Sequence, residues 1–532
     1  MRETMAMEEE SGYSFSSCVR YFSKGTIFSS IFNLLTTCIG AGTLALPYAF
    51  SQGGLIYSSI VFFMVMVMAI LVGFLLYDAK KYSHEICPGL EVKGYEDLAE
   101  GSFGAVGRIF VLIVLFGFLF LALIAYMIYT RDQLSFIIQF FIHLSNHAPR
   151  CSLLTNCSIV LCIAFIPIFP ILLLKNISLL QFTSTASIFC VALFTIFIAI
   201  KTSMHLHHDD NPITFQAIRS DEDDVIGFFP SSFKGAITCL SYCSLTFLCQ
   251  FQLFSLEKEL NRPRQWKLNF IIVASMVLAY TLYNIVAFSG YLNFGGQTPE
   301  DIMIGYPSTD GLVTALRIAL FITLLFSYPI LFHPTRLALN RLVSYCYELY
   351  SNRGSSNNLN CDQTDETTEL LISSSLRSRL LKYRKDNTVE RKELKPNWLV
   401  WTCETWVMFA VSFLAAAFIP NVAYVWSFVG SIGGSLVLYI LPSIFFLRLH
   451  FFVRLKAAGE SSTSLFKQYL QCSVWKDITA LVIFCMGVVV LIAGNYEAID
   501  SIVNRSHDSG NHCSTLKCVE MENASSIMSD YY

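Results

Sequence analysis

Apolar residues run along this chain in long blocks, and the charged residues gather between the blocks. Between Gly25 and Tyr77 there is no charged residue at all. That is room for two membrane crossings, since a helix of ~20 residues spans the hydrocarbon core. Ser51-Gln52-Gly53-Gly54 is the turn between them. Further uncharged runs cover 109–130, 151–174, 176–200, 235–256 and 268–293. Another, from Gly311 to Phe332, is interrupted only by Arg317, for which snorkelling to the interface is expected. The run 405–447 holds two spans split at Pro420-Asn421, and 478–496 is the last. The pattern predicts an all-α polytopic membrane protein of eleven transmembrane helices.

Composition agrees. The 532 residues are 54% hydrophobic and 14% charged, with mean hydropathy +0.54, outside the range of a soluble globular chain. The first 24 residues are polar and acidic, so the first span is expected to act as its own insertion signal. Lys and Arg concentrate in 1–25, 78–108, around Lys175, 257–267, 333–398 and 448–476. The alternate segments hold only Arg131, Arg150, Lys201, Arg219, Lys234, Arg505 and Lys517. Positive charge stays on the cytoplasmic side, which predicts a cytoplasmic N-terminal segment 1–25, a helical core 26–496 and an outside C-terminal tail 497–532. Asn504 and Asn523 are then glycosylation acceptors on the outside, and Asn156 is a third that sits against a helix start. Asn176 matches the pattern but falls inside. The 17 cysteines lie mostly within apolar runs and show no metal-ligand spacing. Cys513 with Cys518, or Cys151 with Cys157, has the spacing for an outside disulfide. The internal segment 333–398 is rich in Ser, Asn and charge, is expected to be a disordered cytoplasmic loop, and contains Glu366-Thr367-Thr368-Glu369-Leu370-Leu371, the spacing of an acidic dileucine sorting signal.

The candidate chemistry lies in two interruptions. The first span carries Gly40-Ala41-Gly42 at its middle, where a continuous helix is hardest to keep. A break at membrane depth frees backbone groups that lipid cannot satisfy, so it must line a cavity or be buried in protein. The alternative is a glycine pair that lets two helices approach closely. The sixth span has a matching candidate at Phe247-Leu248-Cys249-Gln250, with Gln250 and Gln252 polar at membrane depth. Interrupted helices in corresponding places of two halves point to a transporter site. No Asp, Glu or His lies in the middle of a predicted span, so a cationic side chain would find no carboxylate there, and neutral substrates fit better.

Several stretches, in order, resemble the amino acid/auxin permease family, closest to its system A and system N branch of sodium-coupled neutral amino acid transporters. They are Phe32-Asn33-Leu34 with Gly40-Ala41-Gly42, then Tyr95-Glu96-Asp97-Leu98-Ala99-Glu100 with Phe103-Gly104. Leu174-Lys175-Asn176 with Ser184 and Ser187, Phe247 to Gln250 with Glu259-Leu260, and Ser327-Tyr328-Pro329 with Pro334-Thr335-Arg336 complete the set. The resemblance implies an inverted five-plus-five repeat with broken helices one and six plus one extra helix, working by alternating access. Gly40, Ala41 and Gly42 would hold the substrate carboxylate, with Cys249 and Gln250 opposite. The sodium-coupled branch typically has asparagine where this chain has Thr36, threonine at Ser327 and histidine at Gln250. Thr36 and Ser327, with Thr323 one turn before Ser327, still offer oxygen to sodium. The alternative for these hydroxyls is a bond to their own helix. The expected function is secondary transport of small neutral amino acids, sodium-coupled, with no other cofactor and no enzymatic activity. Two rivals are a proton-coupled or uncoupled transporter, and a sensor signalling to a cytosolic partner through 333–398. The plasma membrane and an endolysosomal membrane are both compatible.

Overall fold

A computed structural model describes residues 26–38, 41–86, 91–144, 157–173, 181–208, 226–260, 262–306, 310–355, 398–419, 422–458 and 464–508. The described residues are almost entirely helical. In order they form α1 (Ile27–Cys38), a 3₁₀ turn (Ala41–Ala45), α2 (Leu46–Gly53), α3 (Leu55–Ile86) and α4 (Tyr95–Leu144). Next come α5 (Cys157–Phe165), α6 (Phe169–Leu172), α7 (Gln181–His208), α8 (Phe233–Thr246), a 3₁₀ turn (Gln250–Gln252) and α9 (Leu253–Glu259). α10 (Gln265–Phe294), a short 3₁₀ helix (Ile302–Gly305), α11 (Gly311–Ser355) and α12 (Trp398–Phe418) follow. The last elements are α13 (Val422–Phe428), a π-helical stretch (Val429–Ile440), α14 (Leu441–Ala458) and α15 (Ser464–Asp508).

Among the described residues eight helices are long and apolar enough to cross a membrane, or up to nine when α1 and the 42–53 helix count as one bent span. The fourth and fifth predicted spans are described only in part, as α5–α6 and α7, whose apolar helix Phe189–Met204 is shorter. The bundle's two ends can be told apart. The lower end carries the starts of α1 and α4; the upper end carries the α2–α3 turn and the Ile302–Gly305 helix.

Three expectations change. Segment 333–398 does not begin as a loop: α11 continues unbroken to Ser355 through Pro329 and Pro334. Each proline removes one helix hydrogen bond, which neighbouring helices can tolerate. The last helix likewise runs past residue 496, so Asn504 lies on α15 rather than in a tail. Asn156, Asn176, Asn523, the cysteine pairs 513/518 and 151/157 and the dileucine pattern involve residues outside those described.

The third change concerns Arg317. It is fully buried, donating from Nη2 to the Met303 and Tyr306 carbonyls at 2.7 and 2.9 Å, with its guanidinium 4.4 Å above the Phe136 ring. It therefore points into protein instead of snorkelling. Arg131 of α4 acts similarly, donating to the carbonyls of Ala416 and Ile419 at the end of α12. Those carbonyls have no partner within their own helix. At the upper end the segment after residue 225 also laces onto α3 through Leu55 N–H to Gly227 O and Ile56 N–H to Phe228 O. The crossing is tight: Gly54 has φ +74°, and a Cβ there would lie 2.6 Å from the Phe229 nitrogen. Only glycine satisfies both demands.

Candidate functional site

Both predicted interruptions are present. α1 ends at Cys38 and the chain restarts as Ala41–Ala45, with a 54° bend between the two arms. α8 ends at Thr246 and resumes only at Gln250. One side chain serves both breaks. The Tyr283 hydroxyl of α10 lies 2.6 Å from the Cys38 carbonyl and 3.3 Å from the Thr246 carbonyl. Tyr283 is fully buried, with Phe62 and Phe247 edge-on around it. Carbonyls freed at membrane depth thus find a donor within the protein, as a broken span requires.

Between the breaks and α11 lies a cavity of about 250 Å³. That is near the lower end of the range for small-molecule sites, ~300–1,000 Å³. Its polar wall comes from Asn33, Thr36, Thr37, Thr43, Thr246 and Gln252, faced by Thr323 and Ser327 of α11. Phe118, Leu119, Val191, Phe194 and Leu324 make the apolar wall, with Trp426 at the upper end. No lining residue carries a formal charge. Gly42 opens onto this space: a Cβ built there meets nothing within 4 Å. The cavity extends down to Asn33 and Pro334, while Leu44 and Leu320 bound it above.

The structure sorts the candidate residues. Gly42, Thr36, Thr323 and Ser327 line one cavity. Ala41 opens the 3₁₀ turn beside it, and Gly40 lies outside the described residues. Cys249 and Gln250 are not on the cavity wall. Cys249 is fully buried in thiol–thiol contact with Cys38. Gln250, 1% exposed, turns its Oε1 back to accept from the Cys249 backbone N–H at 2.9 Å. Its polarity at membrane depth is used on the break itself. Gln252, two residues on, is the glutamine that reaches the cavity, with Oε1 2.9 Å from the Thr37 hydroxyl. Thr36, on the cavity wall, gives its hydroxyl hydrogen to the Phe32 carbonyl at 2.8 Å, so its oxygen still has acceptor capacity.

Sequence reasoning did not single out Tyr283, Thr37, Tyr126 or Trp426. Tyrosine and tryptophan sit in apolar runs without lowering them, so hydropathy has no signal for their polar atoms. Thr37 differs from Thr36 only in which face of α1 it occupies. A helical wheel drawn from the break, with the two breaks facing each other, would have put Thr37 opposite Gln252.

A family model described as transmembrane amino acid transporter protein matches residues 23–499. Among curated relatives, amino acid transporter AVT6A of Arabidopsis thaliana is 27% identical over 341 residues, covering 60% of this chain and 69% of that one. Vacuolar amino acid transporter 7 of Saccharomyces cerevisiae is 24% identical over 315 residues, covering 59% of each chain. Vacuolar amino acid transporter 5 of Schizosaccharomyces pombe is 24% identical over 334 residues, covering 62% of this chain and 73% of that one. A crystal structure of MhsT in complex with L-phenylalanine aligns with TM-score 0.44 and 11% identity, covering 87% of this chain and 98% of that one.

Proposed function

We propose that this chain, which belongs to the transmembrane amino acid transporter protein family, moves small neutral amino acids by alternating access, with sodium as the coupling ion. The observation that carries the reading is the uncharged cavity between the two broken helices, open at Gly42. A zwitterionic substrate brings its own carboxylate and ammonium. Backbone N–H groups of Ala41 and Gly42, at the start of the upper half-helix, suit the carboxylate, because that end is electropositive and its donors lack intrahelical partners. Carbonyls at the Cys38 and Thr246 ends suit the ammonium. A charged side chain would enter a wall with no counter-charge. A volume of about 250 Å³ favours small substrates.

Thr36, Thr323 and Ser327 supply hydroxyl oxygens to one end of the same cavity, a donor set that suits a hard cation. Without a formal negative charge such a site binds sodium weakly. In this reading the upper end faces the outside and the cavity reaches toward the cytoplasm, as the distribution of Lys and Arg suggests.

The test is uptake into vesicles holding the purified protein. Labelled small neutral amino acids should accumulate, Lys and Asp should not, and replacing sodium by choline at constant pH should slow initial rates. Ser327→Ala should raise the sodium requirement more than the substrate requirement. Gly42→Val should insert and fold, since its side chain enters open space, yet lose substrate uptake. Normal uptake by that variant would remove the cavity from the mechanism. Equal rates in choline would remove sodium alone.

A further inference from the structure

The 298–306 segment between α10 and α11 folds inward over the break of the first span. Its 3₁₀ helix, Ile302–Gly305, packs on Ala41–Ala45, and a Cβ at Gly290 of α10 would fall 2.4 Å from Ile302 and 2.6 Å from Pro47. The start of this short helix carries a carboxyl group that substrate binding does not use. Asp301 is 1% exposed. Its Oδ1 accepts from the Met303 backbone N–H at 3.0 Å, capping the short helix. Its Oδ2 accepts from Gln133 Nε2 of α4 at 3.2 Å.

The surroundings are short of hydrogen-bond partners. Gln133 is fully buried and its Oε1 has no partner. One turn earlier on the same face of α4, Tyr129 is buried within electrostatic reach of Asp301. Its hydroxyl is met by the indole of Trp426, whose ring lies 6.2 Å away and lines the substrate cavity. The charged groups facing Asp301 are Asp132 of α4 and Arg317 of α11. Arg317 gives only its Nη2 to two carbonyls and keeps Nε and Nη1 without hydrogen-bond partners among the described residues, so its charge favours the ionised form. Asp132, itself paired with the Arg131 guanidinium at 2.8 Å, opposes it. A buried carboxylate would therefore be held by two neutral donors beside one orphaned acceptor. A neutral carboxyl can donate to Gln133 Oε1 once the amide is turned over, in exchange for the bond it now accepts from Nε2, and it no longer carries a buried charge beside Asp132.

We propose that Asp301 is a proton-binding site that latches the upper half of the transporter shut. Protonated, it donates to Gln133 and seats the 298–306 segment on the break; ionised, it releases that segment to water. The titration falls in a useful range. Burial, followed by the opposing Met303 bond and then the Asp132 charge, leaves the Asp301 carboxyl pushed up from 3.8 to about 7. Its sign is fixed by linkage. A carboxyl whose closed-state value is raised favours closure fully below its open-state value and loses that preference as pH rises through the closed-state one. The latch therefore weakens between about pH 4 and about pH 7, the ordinary and raised values for this carboxyl, at about tenfold per pH unit.

The experiment uses the full-length protein in lipid nanodiscs, with no substrate and no sodium, so its outcome is separate from that of the uptake assay. Infrared difference spectra between about pH 5.5 and about pH 8.5 should lose the C=O stretch of one buried carboxyl, and Asp301→Asn should lack that change. In parallel, hydrogen exchange of 298–306, corrected for the chemical rate, should rise at least about tenfold over that range in the parent protein and stay slow in Asp301→Asn. Asparagine keeps the helix cap and the neutral shape. Asp310→Asn, at a carboxylate paired with Lys201 at 2.6 Å, should leave both signals in place. A carboxyl band that survives in Asp301→Asn, or equal acceleration of exchange in both proteins, overturns the proposal. Should Asp301→Asn fail to fold, Gln133→Glu gives the second reading. A like charge at that position must move the transition to higher pH, and an unmoved transition also overturns it.

Discussion

The two ends of this transporter are closed by different chemistry. At the upper end, buried guanidinium groups meet backbone carbonyls: Arg317 holds Met303 and Tyr306, and Arg131 holds Ala416 and Ile419. Backbone pairs from Leu55 and Ile56 to the 227–228 strand of chain add to the seal, and the Tyr291 hydroxyl meets Gly227. The lower end has buried contacts too, with Arg336 donating to the Leu172 carbonyl at 2.9 Å and Arg108 meeting Asp97 at 2.8 Å. Side-chain ion pairs with at least one partly exposed partner also join the rim below the cavity. Lys80 meets Glu257 at 2.8 Å with 32% and 19% of the side chains exposed, and Arg341 meets Glu96 at 2.6 Å. Asn33 and Glu259 approach only to 3.4 Å. Opening the upper end must hydrate groups that are now buried, whereas the exposed pairs of the lower rim exchange one set of solvated partners for another. Rearrangement of the exposed lower pairs is therefore cheap, and the upper end needs a trigger.

Substitutions can break or sharpen this contrast. The largest effect is expected from Arg317→Leu, which orphans two buried carbonyls at ~1–3 kcal/mol each. Thermal unfolding in detergent should show a loss of about 2–5 kcal/mol or no folded protein, and a variant as stable as its parent would erase the contrast. Tyr283→Phe comes next. It leaves the Cys38 and Thr246 carbonyls without their donor, for about 1–3 kcal/mol, with transport falling more than expression. Thr37→Val at the lower rim loses one hydrogen bond to Gln252, about 1 kcal/mol, and should appear in substrate affinity more than in melting. Smallest of all is Lys80→Ala. An exposed pair is worth ~0–1 kcal/mol, so its effect should fade in high salt. A Lys80→Ala penalty rivalling that of Arg317→Leu would reverse the assignment of the two ends.

The all-helical architecture and both interruptions were legible in the sequence, because long apolar runs and the glycines at 40 and 42 act through backbone physics alone. That Thr36, Thr323, Ser327 and Gly42 share one cavity is readable from spacing on a helix once the break fixes which face looks inward. Gln250 was assigned to the substrate pocket because its polarity at depth was visible and its partner was not. That partner is the Cys249 amide, one residue away, which only the local backbone path reveals. Arg317 was misplaced for a related reason. A lone arginine near a helix end reads as snorkelling until a neighbouring loop is known to fold over it with free carbonyls. Asp301 had no sequence signal, since a carboxylate in a loop between spans is expected to be solvated.

The Tyr283 hydroxyl has a single hydrogen and two claimants. At 2.6 Å the Cys38 carbonyl now holds it, and the Thr246 carbonyl at 3.3 Å has the weaker share. A small slide between the two interrupted helices would shift ownership from one to the other without leaving both empty. The oxygen behaves as a single-pole contact with two throws. Each throw marks the relative position of the two halves, and the ammonium of an arriving amino acid would compete for the carbonyl left unserved. Occupancy of the pocket and the stance of the halves would then be recorded by the same hydrogen, and the tyrosine O–H stretch is where that record could be read.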